Sequence, residues 1–251
     1  MIRPGVTGAV VLGGGLVVIA CGGGSAASTP TTPTTTTTPA GSGVNTTAMY
    51  TQFGNAVTVS IEGTTAVLRT TDVPNHPSPY FGAGNALCEA PQPGMQVAPG
   101  VIQTQNIVMR VPLVPQSATA SDTPLGPIGV AVNGVAFFNQ YAAGRQPLGS
   151  GEIGSFDRFN GHPTPTNQYH YHVEPLFLTA SSSSRLLGVL LDGFPVYAPR
   201  DSNGQAPTDL DACHGHTGAT PDFPAGIYHY HVSNTSPYIS GCYRGTPGTI
   251  G

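Results

Sequence analysis

Apolar side chains recur along this chain in short bursts with a period of two, and turn-forming pairs separate the bursts. From Ala56 to Thr70 apolar and polar residues alternate on either side of Glu62-Gly63, the pattern of two strands joined by a tight turn. Residues 101–114 add Ile102, Ile107, Val108 and Val111 as strand material. Two longer apolar runs, Ile128 to Phe138 and Leu187 to Tyr197, carry Asn133-Gly134 and Asp192-Gly193 near their centres and predict hairpins with two-residue left-handed turns. No segment keeps the 3.6-residue period of an amphipathic helix beyond two turns, so a mainly β fold with few or no long helices is expected.

The two hairpins open a longer repeat. Ile128-Gly-Val-Ala-Val-Asn-Gly-Val-Ala-Phe-Phe138 aligns with Leu187-Gly-Val-Leu-Leu-Asp-Gly-Phe-Pro-Val-Tyr197. Downstream, Phe156-Asp-Arg-Phe-Asn-Gly-His162 aligns with Leu210-Asp-Ala-Cys-His-Gly-His216, which equates Asp157 with Asp211 and His162 with His216. Each copy then reaches Tyr-His-Tyr-His, at Tyr169 to His172 and at Tyr228 to His231. The expected fold is a compact β structure of two tandem related units with pseudo-two-fold symmetry, each unit a hairpin, an Asp-x-x-x-Gly-His loop and a YHYH strand.

Composition sharpens this picture. Gly and Pro number 34 and 25 of 251 residues, which again argues against long helices. Only 8% of residues are charged, the formal net charge is −4, and there is no lysine, so nucleic acid is excluded as a natural partner.

The apolar run from Gly5 to Ala20 is too short for a typical membrane span, which needs ~20 apolar residues, but suits the core of a signal peptide. It ends in Val18-Ile19-Ala20-Cys21, which resembles a bacterial lipobox, so residues 1–20 are expected to be removed and Cys21 to carry the lipid. Gly22 after the cysteine leaves the outer membrane open as a destination. Residues 21–47, with their Thr/Pro tract, read as a semi-extended tether, and residues 48–251 as the folded domain. Within that domain an N-terminal β part (48–127) precedes copy one (128–178) and copy two (187–246). The chain is therefore expected to be exported and anchored to the cell envelope.

With Cys21 lipidated, Cys88, Cys213 and Cys242 remain, enough for one disulfide in a compartment that favours it. The repeat places Phe159 opposite Cys213, and Phe177 of copy one lies in the segment that corresponds to the one carrying Cys242. A Cys213–Cys242 disulfide in copy two, replaced by a Phe-to-Phe contact in copy one, follows from that comparison.

The two YHYH motifs, with DGFPVY, GHTGATPDFPAGIYHYHV, PYISGCYRG, PNHPSPYF and PLGPIGVAVNGVAFFN, resemble the bacterial YHYH-domain family over about residues 74 to 247. Family members are typically exported, and the resemblance implies identity more than activity. Relatives often carry a cysteine where this chain has Phe159, so a first-copy disulfide is not expected.

On a strand, residues i and i+2 share a face, which places His170 with His172 and Tyr169 with Tyr171 on opposite faces. Two same-face imidazoles can converge on one ion, and the Gly-His histidine is a third donor. The candidate ligands are therefore His162, His170 and His172 in copy one and His216, His229 and His231 in copy two, for a copper or zinc ion, either as separate sites or gathered at one centre. Asp157 and Asp211 are candidates for holding the ligand rings through their far nitrogens, while His76 and His214 have no place in the repeat. Three readings stay open: a metal-binding module, a metalloenzyme with an open three-histidine site, and a structural or adhesive domain whose histidines are satisfied by hydrogen bonds alone. Hydrolase, nucleotide-binding and thioredoxin-like motifs are missing, and protein partners are not indicated.

Overall fold

The hairpin predicted around Gly63 forms β1 (Val57–Glu62) and β2 (Thr65–Thr70), with Gly63 in the left-handed region at φ 61°. The structure is a computed structural model that describes residues 43–182 and 185–251. The expected signal peptide, Cys21 and nearly all of the tether lie outside the described residues.

Strand β3 (Ile107–Pro112) lies against β2, and β4 (Ser117–Ser121) follows it. Copy one then supplies β5 (Pro127–Ala131), β6 (Ala136–Phe138), the short β7 (Tyr141–Ala142) and β8 (Gln146–Pro147), β9 (Gly161–Pro163) and β10 (Tyr169–Tyr171). Copy two supplies β11 (Leu186–Leu190), β12 (Pro195–Tyr197), β13 (Gly215–Gly218) and β14 (Ile227–His231), and the chain ends in β15 (Tyr243–Gly245) and β16 (Thr249–Ile250). Among the described residues the only α-helices are single turns, α1 (Ser150–Ile153) and α2 (Leu176–Thr179), as the absence of helical periodicity predicts.

Four strands in the order β1-β2-β3-β16 make one sheet, and the chain's last strand closes its edge. The second sheet has eight strands in the order β13-β14-β12-β11-β5-β6-β10-β9. Read from the middle outward, each half is a hairpin, then the YHYH strand parallel to the hairpin's second strand, then the Gly-His strand antiparallel to it. The halves meet through β5 and β11 with Val130 opposite Val189, two residues that are counterparts in the repeat. The pseudo-two-fold relation expected between whole units is a larger statement than this register. One continuous apolar cluster runs through both sheets, taking Leu68, Met109 and Val111 from the first and Ile128, Val130, Phe137, Leu190 and Val196 from the second.

Two local expectations change. The Gly-His segments are edge strands rather than loops. In the hairpins Gly134 and Gly193 are left-handed (φ 89° and 85°) but Asn133 and Asp192 are not. The amides of Gly134 and Gly193 bond the carbonyls of Ala131 and Leu190, whose own amides bond the carbonyls of Val135 and Phe194. Each connection thus has three residues with a left-handed glycine last, the bulged alternative to the two-residue turn.

The disulfide forms as the repeat predicts, between Cys213 and Cys242 with Cα atoms 4.6 Å apart. In copy one Phe159 and Phe177 meet edge to face with ring centroids 5.3 Å apart. The bridge spans a sequence separation of 29 residues. Loop-closure entropy assigns such a bridge about 3–4 kcal/mol. Replacing Cys213 and Cys242 together by Ser should lower the unfolding free energy in urea by about that amount. An unchanged midpoint and slope would show that the bridge constrains nothing the fold does not already hold.

Candidate metal centres

Strand register brings the histidines together. His170 lies directly across from His162, and His229 directly across from His216, so each Gly-His histidine is the cross-strand partner of the first YHYH histidine. The second YHYH histidine follows two residues on, on the same face. In copy one His162 Nε2 and His170 Nε2 are 3.1 Å apart and His170 Nε2 and His172 Nε2 3.0 Å apart. In copy two His216 Nε2 and His229 Nε2 are 3.1 Å apart. The donor atoms of His162, His170 and His172 all lie within 4.8 Å of one another, as do those of His216, His229, His231 and Asp201. The YHYH strands are separated by five strand spacings of ~4.8 Å, or about 24 Å across the sheet, so the six histidines form two clusters and not one centre.

The far ring nitrogens decide which tautomer each ring adopts. His170 and His172 donate from Nδ1 to the carbonyls of Gln168 (3.1 Å) and Asn139 (2.7 Å). His229 and His231 donate to the carbonyls of Ile227 (2.9 Å) and Ala198 (2.7 Å). A carbonyl only accepts, so these four rings carry their proton on Nδ1. His216 donates to the Asp209 carboxylate at 2.8 Å. His162 Nδ1 is 2.7 Å from Ser155 Oγ, whose own proton is donated to the Glu152 carbonyl at 2.6 Å, so His162 also donates. The five neutral rings other than His216 therefore present a bare Nε2 lone pair to their neighbours, and His216 turns its own Nε2 towards His229. Nε2 of His231 is buried and without a satisfied hydrogen bond, with Asp201 Oδ1 3.3 Å away.

A carboxylate flanks each cluster. Glu152 Oε1 is 3.3 Å from His162 Nε2 and 3.9 Å from His172 Nε2. Asp201 Oδ1 is 3.2, 3.8 and 3.3 Å from the Nε2 atoms of His216, His229 and His231. Neither acid was singled out from the sequence. The signal was there: Glu152 is the sole acid between the copy-one hairpin and Asp157, and Asp201 and Asp209 are the acids in the matching segment of copy two. Ser155 and Asp209, each two residues before the repeat aspartate, are likewise counterparts that hold equivalent rings.

Asp157 and Asp211 do something other than expected. Asp157 accepts from the Tyr169 hydroxyl (2.7 Å) and from the amides of Phe159 and Gly161, and Asp211 from Tyr228 and the amides of Cys213 and Gly215. They tie the Asp-x-x-x-Gly turn to the tyrosine face and leave ring orientation to Ser155, Asp209 and backbone carbonyls. The glycine of each Gly-His pair serves the same contact. A Cβ on Gly161 or Gly215 would collide with the phenol of Tyr169 or Tyr228. The second tyrosines reach the hairpin turns, Tyr171 to Asn133 (3.2 Å) and Tyr230 to Asp192 (2.5 Å). The hydrogen-bonded network of a purely structural reading thus exists, on the tyrosine side of the strand.

His76 bonds the Tyr171 hydroxyl at 2.8 Å and packs on Phe159 and Phe177, outside the cluster. His214 also stays outside it, with Nδ1 buried and unpartnered.

Burial keeps the rings neutral. It lowers His162 to about 3, helped by the nearby His172. His172 and His229 fall to about 4, against the raising effect of the Asn139 and Ile227 carbonyls. Burial also lowers His231, and drives His170 well down with its two neighbouring imidazoles adding to the effect.

The profile of the family described as YHYH protein matches residues 108–208 and 201–245, and the chain belongs to that family. No curated protein and no solved structure matches the chain.

These folded values lie below the unfolded histidine value of about 6.5, so the rings add no pH dependence above it. As pH falls from about 6.5 towards about 4, the unfolded chain takes up protons that the metal-free fold refuses, and stability is lost. In a proton NMR titration of metal-free protein the ring resonances of His162, His172 and His229 should stay at their neutral positions down to about pH 5. A midpoint near 6.5 for these rings would mean that the cluster is solvated.

Proposed function

We propose that this chain is a membrane-tethered metal-binding domain that holds one copper or zinc ion in each of its two YHYH units. One observation carries the reading. All six imidazoles turn Nδ1 to a hydrogen-bond partner outside the cluster, which gathers their Nε2 atoms, bare on the five buried rings, with neighbours about 3 Å apart. Such an arrangement repels itself unless a cation stands between the lone pairs. Two nitrogens bound at ~2.0–2.1 Å to a tetrahedral ion lie ~3.3 Å apart, close to the separations here. Imidazole with a carboxylate suits zinc and copper better than calcium or magnesium. Backbone carbonyls, Ser155 and Asp209 would fix ring orientation behind the ligands, the usual arrangement for metal-bound histidine.

Protein purified without a histidine tag should contain two equivalents of copper or zinc by mass spectrometry. His170→Ala and His229→Ala should each leave about one, and stripping the ions should lower the melting temperature. Metal-free protein whose melting temperature ignores added zinc and copper would remove the reading.

Support for the tether is the Val18-Ile19-Ala20-Cys21 motif after an apolar run, the Thr/Pro tract behind it, and a disulfide suited to an oxidising compartment. Expressed in a bacterial host, the full chain should take up a labelled fatty acid and sediment with membranes, and Cys21→Ser should abolish both. Label retained by Cys21→Ser would place the lipid elsewhere or refute it.

A further inference from the structure

The two clusters are built alike but completed differently. In copy two Asp201 joins three histidines in a set of four donor atoms within 4.8 Å of one another, while in copy one only the three histidines form such a set. Glu152 stands to one side there, near His162 and His172. Four protein donors close the coordination of a structural ion, whereas three leave a position for an outside ligand.

The copy-one cluster also opens onto space. A cavity of about 520 Å³ has His162, His170, His172 and Glu152 in its lining, with walls that include Val97, Pro99, Leu125, Phe138, Tyr141 and Pro165. That volume lies within the range of small-molecule sites, ~300–1,000 Å³. Phe138 stacks on the His170 ring with centroids 3.8 Å apart, so the apolar wall runs up to the ligand nitrogens. Among the described residues, two of the most exposed of the large apolar side chains, Val97 (54%) and Leu125 (47%), belong to this cavity. Among the described residues no lysine or arginine lines it, and Glu152 is its one acid.

We propose that copy one is a ligand-binding metal centre and copy two a structural one. The copy-one cavity takes a neutral, largely apolar organic molecule bearing one oxygen donor, an alcohol or a phenol, with that oxygen facing the open position of the three-histidine ion. An anionic ligand would meet Glu152 and no countercharge but the ion, and a strongly polar one would leave the apolar walls unsatisfied. The assignment rests on the metal reading above, since the donor atom needs the ion.

The test uses cobalt(II), whose visible bands report its ligands, and 4-methylphenol, with toluene as the probe lacking the donor oxygen. Wild-type protein should take up two cobalt ions, and 4-methylphenol should change the visible bands saturably while toluene does not. His229→Ala, keeping only the copy-one ion, should respond like the wild type. His170→Ala, keeping only the copy-two ion, should not respond. Leu125→Arg, at an exposed position where the fold is not at risk, should keep both ions and weaken 4-methylphenol at least tenfold. A chain that takes up no cobalt sinks the metal reading and this proposal with it. Two bound ions with bands that 4-methylphenol leaves unmoved, a response that survives in His170→Ala, or undiminished binding by Leu125→Arg would overturn the proposal alone.

Discussion

Everything at the two histidine clusters follows from where a single proton sits on each ring. A neutral imidazole has one N–H, and a backbone carbonyl or the Ser155 hydroxyl claims it at Nδ1 in five rings, while Asp209 accepts from Nδ1 of His216. The carbonyls of Asn139 and Ala198 lie just beyond the hairpin strands β6 and β12, which pair in parallel with the YHYH strands. Ring orientation is thus inherited from sheet register. The apolar core that fixes the register also fixes where the lone pairs point.

The opposite face of the YHYH strand does complementary work. Its tyrosines reach the Asp-x-x-x-Gly turn on one side and the hairpin turn on the other, so one strand ties together all three parts of its unit. The phenol passes where a side chain on Gly161 or Gly215 would stand, and that glycine is immediately followed by the first histidine of the cluster. Swapping the tyrosine contact for any bulkier arrangement would displace that histidine. The spelling Gly-His is therefore about tyrosine packing as much as about the histidine.

Much of this was legible in the sequence. Period-two runs and glycine-containing turns gave the hairpins, and the repeat gave the six histidines, the disulfide and the Phe159–Phe177 contact that stands in for it. Glu152 and Asp201 were hidden because they sit at unmatched distances from the repeat, on connecting segments of different length, and only the folded chain carries them to the rings. Asp157 and Asp211 were misassigned because an aspartate two residues from a turn amide satisfies that amide first, a local bond the histidine pattern obscured. The turn geometry differed too: Asn-Gly and Asp-Gly permit the two-residue turn, but only the glycine of each pair is left-handed and each connection runs to three residues.

The Gly-His strands β9 and β13 are the outermost strands of the eight-stranded sheet. Each is only three or four residues long and holds its neighbour by few backbone bonds. An open sheet edge is a template on which another chain can add a strand. Here each edge strand sets its histidine directly across from one on the next strand inward, so an ion held between them would clasp the two places where the sheet is most exposed to unwanted pairing. Without the ion each edge strand would be held by its few backbone bonds alone, so the residues of a metal set would also bear on whether neighbouring molecules could associate edge to edge.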